Sequence, residues 1–146
     1  MRLFELCIDL SDEQLDTKMV GAFGSIRETL HHIASSEKSY LHRIITRQPY
    51  RRPEGAPAPT LADALQSIRA TGPGFVSAAP GITAQDTVVV DWQGTPRAVP
   101  CAIILTQAIN HATEHRAQIM ATLTQLGIQP PDLAGWDYLD ATREPG

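Results

Sequence analysis

Apolar and polar positions follow a helical period through two long stretches of this chain, Ser25–Gln48 and Cys101–Leu126, and neither contains proline or glycine. Each is long enough for about six or seven helical turns. In the first, SIRETLHHIASSEKSYLHRIITRQ, an apolar stripe is formed by Ile26, Leu30, Ile33, Leu41, Ile44 and Ile45. Ser25 with Glu28 makes a capping box at its start, and Pro49 stops it. In the second, CAIILTQAINHATEHRAQIMATLTQL, one face carries Ile104, Ala108, His111, His115, Ile119, Thr122 and Leu126. Gly127 is placed to cap it, and Pro130-Pro131 forbid continuation.

Eight of the eleven prolines fall between positions 49 and 100. Arg51–Pro59 therefore reads as a loop, and Thr60 with Asp63 opens a third helix, TLADALQSIRA. Gly72-Pro73-Gly74 is expected to kink or end that helix, with a shorter helical piece running on to Ala79. Thr87–Trp92 is β-branched and alternating, and Gln93-Gly94 can turn it, so a small β-hairpin is expected before the last long helix. At the front, Arg2–Leu10 predicts a helix of about two turns, and Ser11 with Gln14 opens another turn. The expected architecture is all-α: one domain over 1–146, an antiparallel helix bundle packed by these apolar stripes.

Composition narrows the function classes. A chain of 146 residues, 42% hydrophobic and 19% charged, is not a wholly disordered one. No apolar run reaches the ~18 residues of a membrane span. Acidic residues in MRLFELCIDLSDEQ stand where a signal peptide is basic then apolar, which points to a cytoplasmic protein. A net charge of −4 gives no electrostatic reason to bind nucleic acid. Cys7 and Cys101 cannot make a disulfide framework or a CxxC metal knuckle.

The five histidines carry the chemistry, and all lie in the two long helices. His111 and His115, four residues apart, stand one above the other on an apolar face and can converge on one metal ion. The first long helix offers a third ligand in His31 or His32, which lie on opposite flanks of its stripe. His31 shares its side with Arg27, Lys38 and His42, a solvent-like set. His32 shares its side with Ser25, Thr29, Ser36 and Tyr40, which suit a polar pocket and favour it. His42 reads as a surface residue. Gln118, one turn beyond His115, can orient a ligand, and Tyr40 and Asn110 can add hydrogen bonds. Glu114 and Arg116 read as surface charges, and Trp92 and Trp136 as core or rim aromatics. Ala112 stands where an HExxH protease has its glutamate, and no Walker A, GxGxxG or GxSxG motif occurs.

The runs TLHHIASSE, NHATEHRAQI, LGIQPPDL and WDYL together resemble the DinB/YfiT-like proteins, from about Leu10 to Leu139. The resemblance is strongest in H-x3-H-R-x-Q followed by the Pro-Pro exit. It implies a four-helix bundle holding a divalent metal, zinc or nickel, on three histidines. Those positions fall on His32, within Leu30-His31-His32-Ile33, and on His111 and His115. It further implies a metal-dependent enzyme acting on a small molecule, either a thiol S-transferase or isomerase using a low-molecular-weight thiol, or a hydrolase. The competing expectation is a non-catalytic metal-binding stress-response protein or a ligand-binding bundle. Three nitrogen ligands leave a fourth tetrahedral position open, as in catalytic zinc sites. The chain departs from the pattern at its start, where only Met1–Asp9 precedes the Leu10-Ser11 turn. This predicts either part of a longer product or a genuinely short helix, and in both cases exposed apolar surface that a homodimer would bury.

Overall fold

The computed structural model describes residues 1–136. Its elements are α1 (Arg2–Ile8), α2 (Asp12–Leu15), α3 (Ile26–Thr46), α4 (Leu61–Ala78), β1 (Thr87–Trp92), β2 (Thr95–Pro100) and α5 (Cys101–Gln125). Capping boxes form at Ser11 with Gln14, at Ser25 with Glu28 and at Thr60 with Asp63, which sets where α2, α3 and α4 begin. Of the WDYL run, residues 137–139 lie outside the described residues.

Two apolar clusters hold the helices together. The larger joins Leu3, Phe4 and Cys7 of α1 to Leu30 and Ile33 of α3, Ala64 and Leu65 of α4, and Ile119 and Leu123 of α5. Burial pushes the Cys7 thiol up to about 12, which makes it a packing residue and not a nucleophile. The smaller cluster, Ile44, Val88 and Ile104, seats the hairpin against the ends of α3 and α5. The hairpin turns at Gln93 and Gly94, both with positive φ, and Gly94 N–H donates to Asp91 Oδ1 at 2.7 Å. The strands pair antiparallel from Thr87 opposite Pro100 to Trp92 opposite Thr95.

Three expectations change. Helix α4 does not end at Gly72-Pro73-Gly74 but runs through Pro73 to Ala78. Pro73 lies on the solvent face. On the inner face Thr71 Oγ1 donates to Glu37 Oε2 at 2.9 Å, and a Cβ on Gly74 would meet Leu41 Cδ2 at 2.5 Å. Close packing on α3 thus carries the helix across a break that its own residues would impose. Trp92 is 54% exposed, because it ends the hairpin beyond the bundle, and Trp136 is also exposed. Ile45 is exposed as well, since only its neighbour Ile44 faces the hairpin cluster.

Helix α1 is short, as expected, and covers one end of the bundle. Above it, an apolar groove of about 350 Å³ lies open between α4 and α5, lined by Phe75, Val76, Leu105 and Ile109. Val76 is 73% and Ile109 60% exposed. Glu37 sits in the lining of this groove, itself buried, and burial raises its pKa; the Thr71 hydroxyl and the charge of Arg116 offset this in part. The folded state therefore holds the Glu37 proton more tightly than the unfolded chain, so this group contributes stability at low pH that is lost as pH rises through the folded pKa. Glu37→Gln keeps an oxygen for Thr71 and removes the charge. Thermal unfolding should show a higher midpoint for the variant at about pH 8 and a smaller change between about pH 5 and pH 8. An unchanged pH dependence would contradict the assignment.

Candidate metal centre

Helices α3 and α5 bring three histidines to one place. His32, His111 and His115 offer ring nitrogens that all lie within 4.8 Å of one another, and the three could hold a metal ion. His32 Nε2 and His111 Nε2 approach to 2.9 Å. The ring centroids of the three are 4.5 to 4.8 Å apart. Tetrahedral ligation with bonds of 2.0–2.1 Å places ligand nitrogens about 3.3 Å apart, so small side-chain rotations bring these rings to that spacing.

The origin of the cluster is local. The i, i+4 spacing stacks His111 and His115 on the inward flank of α5. His32 comes from the second turn of α3, whose start is set by the Ser25 capping box. His115 is the most buried of the three, at 7% exposure.

Neighbours orient the rings. Gln118 Oε1 lies 3.0 Å from His115 Nδ1 and also accepts from the Phe23 backbone N–H at 3.2 Å. An oxygen already accepting one bond identifies itself as an acceptor, so His115 Nδ1 carries the proton and its Nε2 keeps a free lone pair. Phe23 stacks on His32 with centroids 4.1 Å apart and meets His115 edge-on at 5.1 Å. Tyr40 meets the His111 ring edge-on at 5.9 Å.

Electrostatics favours neutral imidazoles. Desolvation lowers the pKa of His32, and the nearby His115 lowers it further. Desolvation likewise lowers that of His111, reinforced by His115 and His32 and opposed by Glu114. The buried Nδ1 of His111 has no hydrogen-bond partner among the described residues. The facing Nε2 atoms of His32 and His111 can share one ring's N–H, or offer their lone pairs to a divalent cation, which fits three imidazole nitrogens converging within 4.8 Å.

The remaining histidines are not part of the cluster. His31 lies on the other flank of α3, but it is half-buried and not simply solvated, with an unpartnered buried Nδ1. His42 lies against Tyr50, with ring centroids 5.5 Å apart. Glu114 and Asn110 are exposed, and Arg116 donates to Thr113 Oγ1 at 3.1 Å. Phe23 was not legible as a site residue. The one available signal was a large apolar side chain between Gly21 and Gly24, just ahead of the helix that carries His32.

Replacing Gln118 by Leu removes the acceptor that holds the His115 proton on Nδ1. Nitrogen NMR of labelled histidines should then show His115 shifting from one tautomer to a mixture, with the helical spectrum intact. A His115 signal identical to the parent's would overturn this role for Gln118.

The crystal structure of a DinB-like protein from Bacillus cereus ATCC 10987 resembles this one with a TM-score of 0.59 at 20% identity, covering 91% of this chain and 89% of that one. That likeness is one of fold. No curated protein matches the sequence. The family match extends over residues 1–146, and on it the chain belongs to the DinB family.

Proposed function

We propose that His32, His111 and His115 bind one divalent metal, zinc or nickel, and that the protein is a metal-dependent enzyme of the thiol S-transferase, isomerase or hydrolase type acting on a small molecule. The observation that carries this reading is the convergence of three imidazoles from two helices, with one tautomer set by Gln118. Such an ion supplies Lewis acidity at an open coordination position, suited to holding a thiolate or polarising water or a carbonyl. The chain's own residues do the rest. Gln118 keeps the His115 proton on Nδ1, and Phe23 covers His32 and limits water on that side. Tyr40 borders His111 on the other side and leaves a polar edge beside the cluster. Cys7 and Cys101 are both unpaired, in keeping with a cytoplasmic setting.

The open groove beside Val76 and Ile109 supports a second part of the proposal, that two chains associate as a homodimer over this apolar face. Sedimentation across a concentration series should show a dimer, weakened by Ile109→Glu. A monomer at tens of micromolar in the parent protein would exclude it.

Metal content tests the centre directly. Elemental analysis should find about one metal per chain, with most of it lost in His111→Ala and none lost in His42→Ala. His32→Ala should lower metal affinity more than His31→Ala. Thiol transfer to a panel of electrophiles, run with and without metal, should follow metal content through the same variants. Equal metal in His111→Ala and the parent would refute the site. Full metal with no transfer or hydrolysis would favour a binding protein.

A further inference from the structure

Beside the histidine cluster, a second cavity opens between α3, α5 and the hairpin. Its volume is about 450 Å³, and its walls include Tyr40, Arg43, Trp92, Val99, Ile103 and Gln107. Tyr40 is shared with the cluster, since its ring meets that of His111. Through Tyr40 the cavity lies next to the cluster, beside the C-terminal half of α3.

Arg43 is the unusual group here. It is half-buried, and its Nε is shielded from solvent with no hydrogen-bond partner. It forms no ion pair among the described residues, in contrast to Arg47, one turn on, whose guanidinium lies 2.7 Å from Asp86. Among the described residues, no acidic side chain lines the cavity. A second cation, Arg97, lies 5.7 Å from the centroid of the Trp92 ring on the cavity wall. A guanidinium on a mostly apolar wall with no carboxylate partner among the described residues is an anion-binding group without its anion. The remaining walls are mostly apolar.

We infer that this cavity is the substrate or thiol-ligand pocket of the centre, and that it takes a carboxylate-bearing aliphatic molecule whose carboxylate docks on Arg43. A carboxylate edge matches the paired terminal N–H donors of a guanidinium. The aliphatic body lies against Trp92, Val99 and Ile103. On α5, Gln107 of the same cavity is one helical turn from His111, so the end of the ligand away from Arg43 is directed toward the cluster. Only the fate of that far end rests on the metal reading; the Arg43 subsite does not.

The test separates the two. In a Trp136→Phe background, Trp92 emission reports the cavity. Titration of metal-stripped protein with hexanoate and with its neutral isostere hexanamide should show hexanoate binding roughly tenfold more tightly or better. Arg43→Gln, with an unchanged helical spectrum, should erase that preference. If Arg43→Gln fails to fold, Ile103→Glu serves, since it sets a like charge at a wall position already 58% exposed and should abolish hexanoate binding. Equal affinity for acid and amide, or a preference that survives these variants, would overturn the subsite. A second arm loads the protein with zinc and compares 6-mercaptohexanoate with hexanoate. Tighter binding of the thiol, lost in His111→Ala, links subsite and centre. Equal binding of the two, with the acid preference intact, leaves Arg43 in its role and counts against the metal reading.

Discussion

The seam between α3 and α5 is where this molecule's chemistry is decided. There the two helices hold His32 Nε2 and His111 Nε2 at 2.9 Å. Two neutral imidazole nitrogens at that distance cannot both present lone pairs without repulsion. Either one neutral ring turns its own N–H toward the other's lone pair, or the two lone pairs share a cation. Burial lowers the pKa values of His32 and His111 and so keeps both rings neutral, each with one ring nitrogen free to offer a lone pair. The same packing that removes water from these rings therefore makes them good ligands.

Much of the surrounding structure keeps that seam in register. The Ser25 capping box sets the start of α3, and with it the height of His32 opposite His111. The cluster of Leu30, Ile33, Ile119 and Leu123 holds the two helices together at one end. The cluster of Ile44, Val88 and Ile104 holds them at the other and brings the hairpin alongside. Gln118 ties His115 to the Phe23 backbone, so the loop ahead of α3 is positioned by the same residue that sets a ligand tautomer. Each of these contacts is modest alone; together they fix how α3 and α5 present the three rings to one another.

The two open faces of the bundle differ in chemistry. The groove beside Val76 and Ile109 is apolar, with its one acid, Glu37, already bonded to Thr71. Such a surface suits another protein surface. The cavity beside Tyr40 and Arg43 combines a cation without an ion pair among the described residues, mostly apolar walls, and one wall residue, Tyr40, that also meets the histidine cluster. That combination suits a small anion with a hydrocarbon body. Membership of the DinB family accounts for the bundle and does not distinguish these faces; their side chains do.

Local rules determined most of the helical elements. Capping boxes, proline stops and the spacing of apolar residues are read over a few positions, and the starts of α2, α3 and α4 and the hairpin turn follow from them. The pairing of His111 with His115 is of the same kind, because four residues on a helix is a fixed geometry. The third member was less legible. Helical angle alone left His31 and His32 on opposite flanks of one stripe, and only the approach of α5 decides which flank is inside. Helix α4 passes Pro73 for a related reason: its contacts with Glu37 and Leu41 outweigh a local break. Phe23 and Arg43 lay beyond any local rule. Phe23 matters because a loop folds back onto His32, and Arg43 because the hairpin and α5 enclose it without offering an acceptor. The sequence by itself determined which segments coil and which histidines can pair. The tertiary structure decided which side chains face one another and which polar atoms are left without partners, because both depend on residues far apart in the chain.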